Sequence, residues 1–243
     1  MLRQPLMIAT VLASLCLLPP VLSAQGSTPR APADLIPATG LSPGRDSFTI
    51  LVEGLPLGWI QASLERTADG YRYRESTRLA GFVEQDTEII TDSRLRTRTV
   101  TQAGKVRDEE TRITLAVEGD RIRGTAVTPG PGGLRTVAID TVLGEAVLDD
   151  NLLQTLLPAL PWDADTAFTI AMFSPGSGET RVASLTIDGR ETVEVSGTEV
   201  ACHRIRLEGG PQQITFWVSI ASPRRLMRIV IANSPVEIVR ANP

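Results

Sequence analysis

From Arg45 onward, apolar and polar positions alternate along the chain. Short runs rich in Val, Ile, Thr and aromatic residues are broken by turn-forming residues roughly every ten positions. In "TRITLAV", Thr111, Ile113, Leu115 and Val117 share one face and Arg112 and Thr114 the other. In "QITFWVSIA", Ile214, Phe216, Val218 and Ile220 oppose Thr215, Trp217 and Ser219. A period of two is that of a half-buried strand. Asp69-Gly70, Ala103-Gly104, Gly119-Asp120, Asp188-Gly189, Ser196-Gly197 and Gly209-Gly210 read as hairpin turns, and Thr128 to Gly133 ("TPGPGG") as a longer loop.

One stretch departs from this rhythm. "LDDNLLQTLLPALPW" sets Leu152, Leu153, Leu156, Leu157 and Leu160 at helical spacing, with Asp149, Asp150 and Asn151 as N-cap candidates. Asn151 and Gln154 have the spacing of a capping box, and Pro158 and Pro161 end the run. So short a helix needs tertiary packing to persist. The prediction is an all-β fold: an antiparallel meander of about a dozen strands curled into a barrel or half-barrel, with one short helix (about residues 149–158) packed on the opening. Curling removes most of the exposed edges that a flat sheet of that size would carry.

Two segments precede the strands. Residues 1–24 have a lone Arg3, a 13-residue apolar run from Leu6 to Leu18, the Pro19-Pro20 break, and small residues at Ser23 and Ala24. This is the order of a secretory signal peptide cut near Ala24, and the run falls short of the ~20 residues of a spanning helix. Cys16 follows Leu15, whereas a lipid-attachment cysteine wants a small residue before it, so the chain reads as a periplasmic or secreted protein and not a lipoprotein. No later stretch is long and apolar enough to span a bilayer. Residues 25–44, rich in Pro, Ala, Gly and Ser, read as a flexible tether, and residues 45–243 as a single barrel-like domain.

Composition narrows the function classes. Hydrophobic residues make up 42% of the 243, enough for a sizeable core, and with aromatics at 4% aliphatic side chains must fill it. The net charge of −4 offers no concentrated positive surface, which argues against nucleic acid. Removal of the leader leaves Cys202 alone, so no internal disulfide can form and burial of the thiol is expected. The single histidine, His203, is its neighbour, and on a strand the two point to opposite sides. No second histidine exists to complete a Cys/His or Ser-His-Asp arrangement, and one histidine and one cysteine facing apart do not make a zinc site. His203 reads as an imidazole held by hydrogen bonds within the sheet. Glu109-Glu110, Asp163 with Asp165, and "PGSGE" (Pro175 to Glu179) offer no paired acid and base, calcium cage or nucleophile elbow. The expectation is a non-enzyme without metal or cofactor.

Four stretches carry a family resemblance: "LVEGLPLGWIQASL" (Leu51 to Leu64), where Gly54 and Gly58 bracket a turn; the leucine-rich "DDNLLQTLLPALPW"; the hairpin "VEVSGTEVACHRIRLE"; and "ITFWVSIASPRRLMRIVI". Together they resemble a bacterial envelope family known as domain of unknown function 3108, over most of residues 46–241. The resemblance implies a secreted, β-rich fold and transfers no active-site residue.

Three functions follow as expectations. The first is an apolar-ligand or lipid-handling module of the cell envelope. Its lining would be Ile60, Leu64, Ile113, Leu115, Ile214 and Phe216, under a lid of Leu152, Leu153, Leu156 and Leu157. The second is an envelope assembly or interaction protein with a filled core. The third, and remotest, is a hydrolase.

Overall fold

The structure, a computed structural model, describes residues 28–37, 41–210 and 212–242. The expected leader, with Cys16 and the expected cleavage site, lies outside the described residues. Among those residues the first eight strands are β1 (Gly44–Val52), β2 (Leu55–Arg66), β3 (Gly70–Leu79), β4 (Val83–Asp92), β5 (Thr97–Val106), β6 (Glu109–Glu118), β7 (Arg121–Gly130) and β8 (Gly133–Val142). They are followed by β9 (Val147–Asp149), β10 (Ala167–Ser174), β11 (Glu179–Val195), β12 (Thr198–Glu208), β13 (Ile214–Ser219), β14 (Leu226–Ile231) and β15 (Val236–Arg240). All belong to one sheet in the order β8-β7-β6-β5-β4-β3-β2-β1-β15-β14-β13-β12-β11-β10-β9. Each neighbouring pair is antiparallel except β9 with β10.

That order forces curvature. The two edges, β8 and β9, are successive in the chain and joined by residues 143–146 alone. Laid flat, fifteen strands would hold their edges about 65 Å apart. The link reaches at most about 18 Å. The sheet therefore rolls until its edges come together. They do not zip into a ladder; instead the β10–β11 turn tucks against β8, where the Thr141 hydroxyl donates to the Gly178 carbonyl at 3.3 Å and Gly178 lies against Ile139. The result is an open barrel, the half-barrel expected from the sequence.

Inward positions follow the period of two. Ile50, Ile60, Leu64, Tyr73, Ile89, Val100, Ile113, Leu115, Ile122 and Ile139 join Leu185, Ile205, Phe216 and Ile238 in one continuous core. A smaller cluster of Val193, Val195, Cys202, Trp217 and Met227 lies on the other side of the sheet. A register shift between Ile187 and Gly189 makes this possible in β11: Leu185 faces in before the bulge, and Val193 and Val195 face out after it.

Several turn expectations need correction. Gly104 is not in a hairpin turn: it pairs with Gln85 and Thr111 inside β5, where a Cβ would stand 1.9 Å from the Glu84 carbonyl oxygen. Asp188-Gly189 is the bulge just described, and Thr128 to Gly133 is a tight hairpin with most of its residues in β7 and β8. Gly58 lies within β2, pressed on the Arg78 carbonyl; the β1–β2 turn is Glu53-Gly54, both at positive φ, which suits Gly54. With these glycines inside ladders the strands carrying them run longer, β11 to 17 residues.

The segment expected as a tether also differs. Its described part carries a short helix, α1 (Pro32–Leu35), and buries Pro32, Leu35 and Leu41 against the barrel. Arg30 N–H donates to the Thr169 carbonyl, and Leu41 N–H to the Tyr71 hydroxyl at 3.2 Å. The two leucines supply the apolar surface that a Pro/Ala/Gly composition hides. Leu35→Ala is expected to lower the unfolding free energy in denaturant titration by about 2–5 kcal/mol; a loose tether would leave it unchanged.

Candidate functional site

The helical stretch predicted from the leucine spacing enters the barrel as a plug. It is a 3-10 turn (Asp150–Leu152), a single α turn, α2 (Leu153–Leu156), and a second 3-10 turn (Leu157–Ala159) that contains Pro158. Leu152, Leu153, Leu156, Leu157 and Leu160 are all buried. They share one cluster with the wall candidates Ile60, Leu64, Ile113, Leu115 and Phe216, and Ile214 packs against it half-buried. The structure thus brings the ten lining and lid residues together.

Polar groups hold this plug at three points. At its start Asp149 is the cap: its Oδ1 accepts from the backbone N–H of Asn151 at 3.1 Å and from the Asn151 amide at 2.8 Å. Asp150 accepts from the Ser174 hydroxyl at 2.8 Å. Asp149 is 0% exposed and its Oδ2 has no hydrogen-bond partner. Burial, and then the neighbouring Asp150 charge, hold the Asp149 carboxyl far above the usual carboxylate range. Burial raises Asp150 as well, less strongly because Ser174 and Arg181 favour its anion.

At mid-length the expected capping box does not form, because Gln154 reaches across the barrel instead. Its amide donates to the Tyr73 hydroxyl and to Glu75 Oε2. Tyr73 in turn donates to Glu75 at 2.5 Å, and Thr77 to the other Glu75 oxygen at 3.0 Å. Burial first, and then Glu75, push the Tyr73 phenol well above its ordinary value. Sequence reasoning missed this group. The available signal was Tyr73, Glu75 and Thr77 on the inward parity between Tyr71 and Leu79.

At its end the Trp162 indole donates to the Leu157 carbonyl at 2.8 Å, with its ring edge-on to Phe168 at 4.9 Å. Arg224, just before β14, donates to the Leu160 carbonyl at 3.1 Å and pairs with Asp163. His203 lies beside this joint. It is 2% exposed, and neither ring nitrogen has a hydrogen-bond partner, which corrects the expectation of an imidazole satisfied within the sheet. Burial lowers its pKa, Arg190 and Arg224 lower it further, and Asp163 opposes them. Cys202 points the other way into the outer cluster, as β alternation requires, and burial with the nearby Glu191 pushes its thiol up to about 11. Among the described residues no three His, Cys, Asp or Glu side chains converge as metal ligands.

The arrangement is an apolar chamber filled by a leucine plug that polar contacts tether to the wall. No helix among the described residues is long and apolar enough to cross a membrane. A family model described as "Protein of unknown function (DUF3108)" matches residues 47–239, and the chain belongs to that family. The fold is also similar to that of a solved crystal structure, the beta-barrel-like protein of domain of unknown function DUF1849 from Brucella abortus. That match has a TM-score of 0.51 and 11% identity, covering 83% of this chain and 95% of that one. At that identity the likeness is one of fold. No curated protein matches the chain.

The plug's two ends respond to pH with opposite sign. Unfolded, Asp149 and Asp150 lose their protons in the ordinary carboxylate range; folded, they keep them to higher pH. In between, the folded state holds protons that the unfolded state has released, so this contribution to stability falls as pH rises. Asp149→Asn should therefore raise the melting temperature relative to the parent at about pH 8 and much less at about pH 4.

His203 behaves in the reverse way. Its folded pKa is depressed, so its contribution is present above the unfolded value of about 6.5 and lost as pH falls below it. In the same melting series His203→Leu should gain on the parent below about pH 6 and show no comparable gain at about pH 8.

Proposed function

We propose that the protein is a non-catalytic apolar-ligand module of the cell envelope, in which the leucine plug occupies the space an acyl chain takes when it binds. The observation that carries this reading is the single cluster formed by the plug leucines and the aliphatic barrel wall. Ligand and plug then compete for one surface, and the energies are comparable. Burying a leucine side chain is worth about 1.5–3 kcal/mol, and an acyl chain gains about 0.8 kcal/mol per methylene. A chain of about a dozen carbons offsets displacement of four leucines. The plug's segmented build suits displacement, since one α turn flanked by 3-10 turns has little stability of its own. The leader order of residues 1–24 supports export to the periplasm or beyond.

Native mass spectrometry of protein purified from its own envelope is expected to show a co-purifying lipid or, failing that, saturable uptake of a fluorescent fatty acid. Leu156→Ala with Leu157→Ala should increase that uptake. No bound lipid, and no uptake by parent or variant, would remove the reading.

A second reading, an envelope assembly protein with a permanent plug, is favoured by one feature. Leu55, Leu57 and Trp59 alternate along the outer face of β2 and are 62%, 42% and 40% exposed. Photo-crosslinking from Trp59 in intact cells should capture a discrete protein adduct under this reading, and monomer alone at native abundance would count against it.

A further inference from the structure

The pairing of the first strand with the last creates a second concavity, unlike the apolar interior. A cleft of about 590 Å³ opens along β1, β2 and β3, and is bounded by Arg225, Arg240 and Asn242. That volume is within the usual range for a small-molecule site. Apart from Ala62 its lining residues are polar or charged, in contrast to the leucine-filled interior.

The lining acids are already engaged. Asp46 pairs with Arg240, whose guanidinium also donates to the Leu226 carbonyl and lies over the Phe48 ring. Glu65 lies 3.9 Å from Arg74, which also pairs with Glu88 at 2.7 Å. Glu75 is held by Tyr73, Thr77 and Gln154. Two cations are left over. Neither Arg45 nor Arg225 has a hydrogen-bond or ion-pair partner for its guanidinium among the described residues. Both stand on fixed backbone: Arg45 is paired with Ser63 in the β1–β2 ladder, and the Arg225 N–H is held by the Ser219 hydroxyl at 2.8 Å. The side chains of Ser47, Gln61, Ser63 and Asn242 border the same space, likewise without hydrogen-bond partners among the described residues.

Two unpaired guanidinium forks beside free hydroxyls and amides make up a donor set for an oxyanion carried on a hydroxylated body. A guanidinium binds carboxylate or phosphate through two parallel N–H···O bonds, and Ser, Gln and Asn supply single bonds to sugar hydroxyls. We infer that this cleft binds a small, hydroxylated oxyanion, a sugar acid or sugar phosphate, with Arg45 and Arg225 on the charged group and Gln61 and Ser63 on the hydroxyls. This goes beyond the acyl-chain reading; the cleft shares Glu75 with the plug's polar tether, and the double variant below lets the two readings fail separately.

The test is titration of the full mature chain at low salt, followed by calorimetry and by amide NMR. The probes are a hexose phosphate, a hexuronate, the uncharged hexose, and vesicles containing an anionic phospholipid. The expected result is saturable binding of at least one of the two sugar anions, with shifts at Arg45, Gln61, Ser63 and Arg225. The uncharged hexose should bind at least roughly tenfold more weakly, and Arg45→Gln and Arg225→Gln should each cost roughly tenfold, as lost charge-assisted hydrogen bonds do. Both arginines are exposed, so the double variant should keep the parental melting curve and the parental uptake of fatty acid. Saturable binding that disappears in the double variant supports the inference. Four results overturn it: no saturable binding of either sugar anion, equal binding of the uncharged hexose, binding retained in the double variant, or arginine-dependent binding seen with the vesicles alone.

Discussion

The link of residues 143–146 between the two edge strands is the constraint on which the architecture depends. A sheet of fifteen strands has no intrinsic reason to close, but one whose outermost members are consecutive in the chain cannot stay flat. Rolling then gives the sheet an inside. An inside lined by branched aliphatic side chains must be filled, because an empty apolar space forfeits dispersion contacts on every wall. The chain supplies the filler directly after the link: β9 hands over to the plug at Asp149. The short connection that forces the roll thus also delivers the segment that occupies it.

Several of the polar groups in this interior stand where the plug meets the wall. An apolar core needs no Tyr73–Glu75–Gln154 network, no unpartnered carboxylate oxygen on Asp149 and no unpartnered imidazole at His203. Buried polar atoms without partners are costly, and proteins keep few of them. At the plug the two effects meet: hydrogen bonds tether it, while the unpartnered Asp149 Oδ2 and His203 nitrogens cost free energy at its two ends. The opposite signs at its two ends follow, since burial penalises the anion at one end and the cation at the other.

Much of this was legible in the sequence, for a local reason. Alternation along a strand is a property of neighbouring residues, so the inward parity of Ile113 with Leu115, and of Ile214 with Phe216, needed no knowledge of partners. The leucine spacing of the plug was equally local. What escaped depends on contacts across the barrel. Gly104 and Gly189 look like turn residues until the strand alongside is known; then the first is a point of close backbone approach and the second a bulge. Leu35 and Leu41 sit in a composition that says linker, and only the surface they cover says otherwise. Gln154 has the spacing of a cap and is claimed by Tyr73 and Glu75, some eighty residues earlier in the chain. The cleft was beyond reach for the same reason, because Arg45 and Arg225 are brought together by the pairing of chain ends.

That pairing bears on how the molecule is made. The seven strands after β1 each fold back on the one before, and the seven from β9 onward likewise on their predecessors or successors, so both arms are assembled from near neighbours. The first strand alone must wait for the last: the Asp46–Arg240 contact spans 194 residues. A nascent chain emerging from its amino end therefore carries one unsatisfied strand edge throughout synthesis, a template for pairing with strangers until the final segment arrives. Under the proposed export, passage in an unfolded form followed by folding on the far side would bring both ends to the seam together, and the last ladder to form would be the one that sets the shape of the cleft.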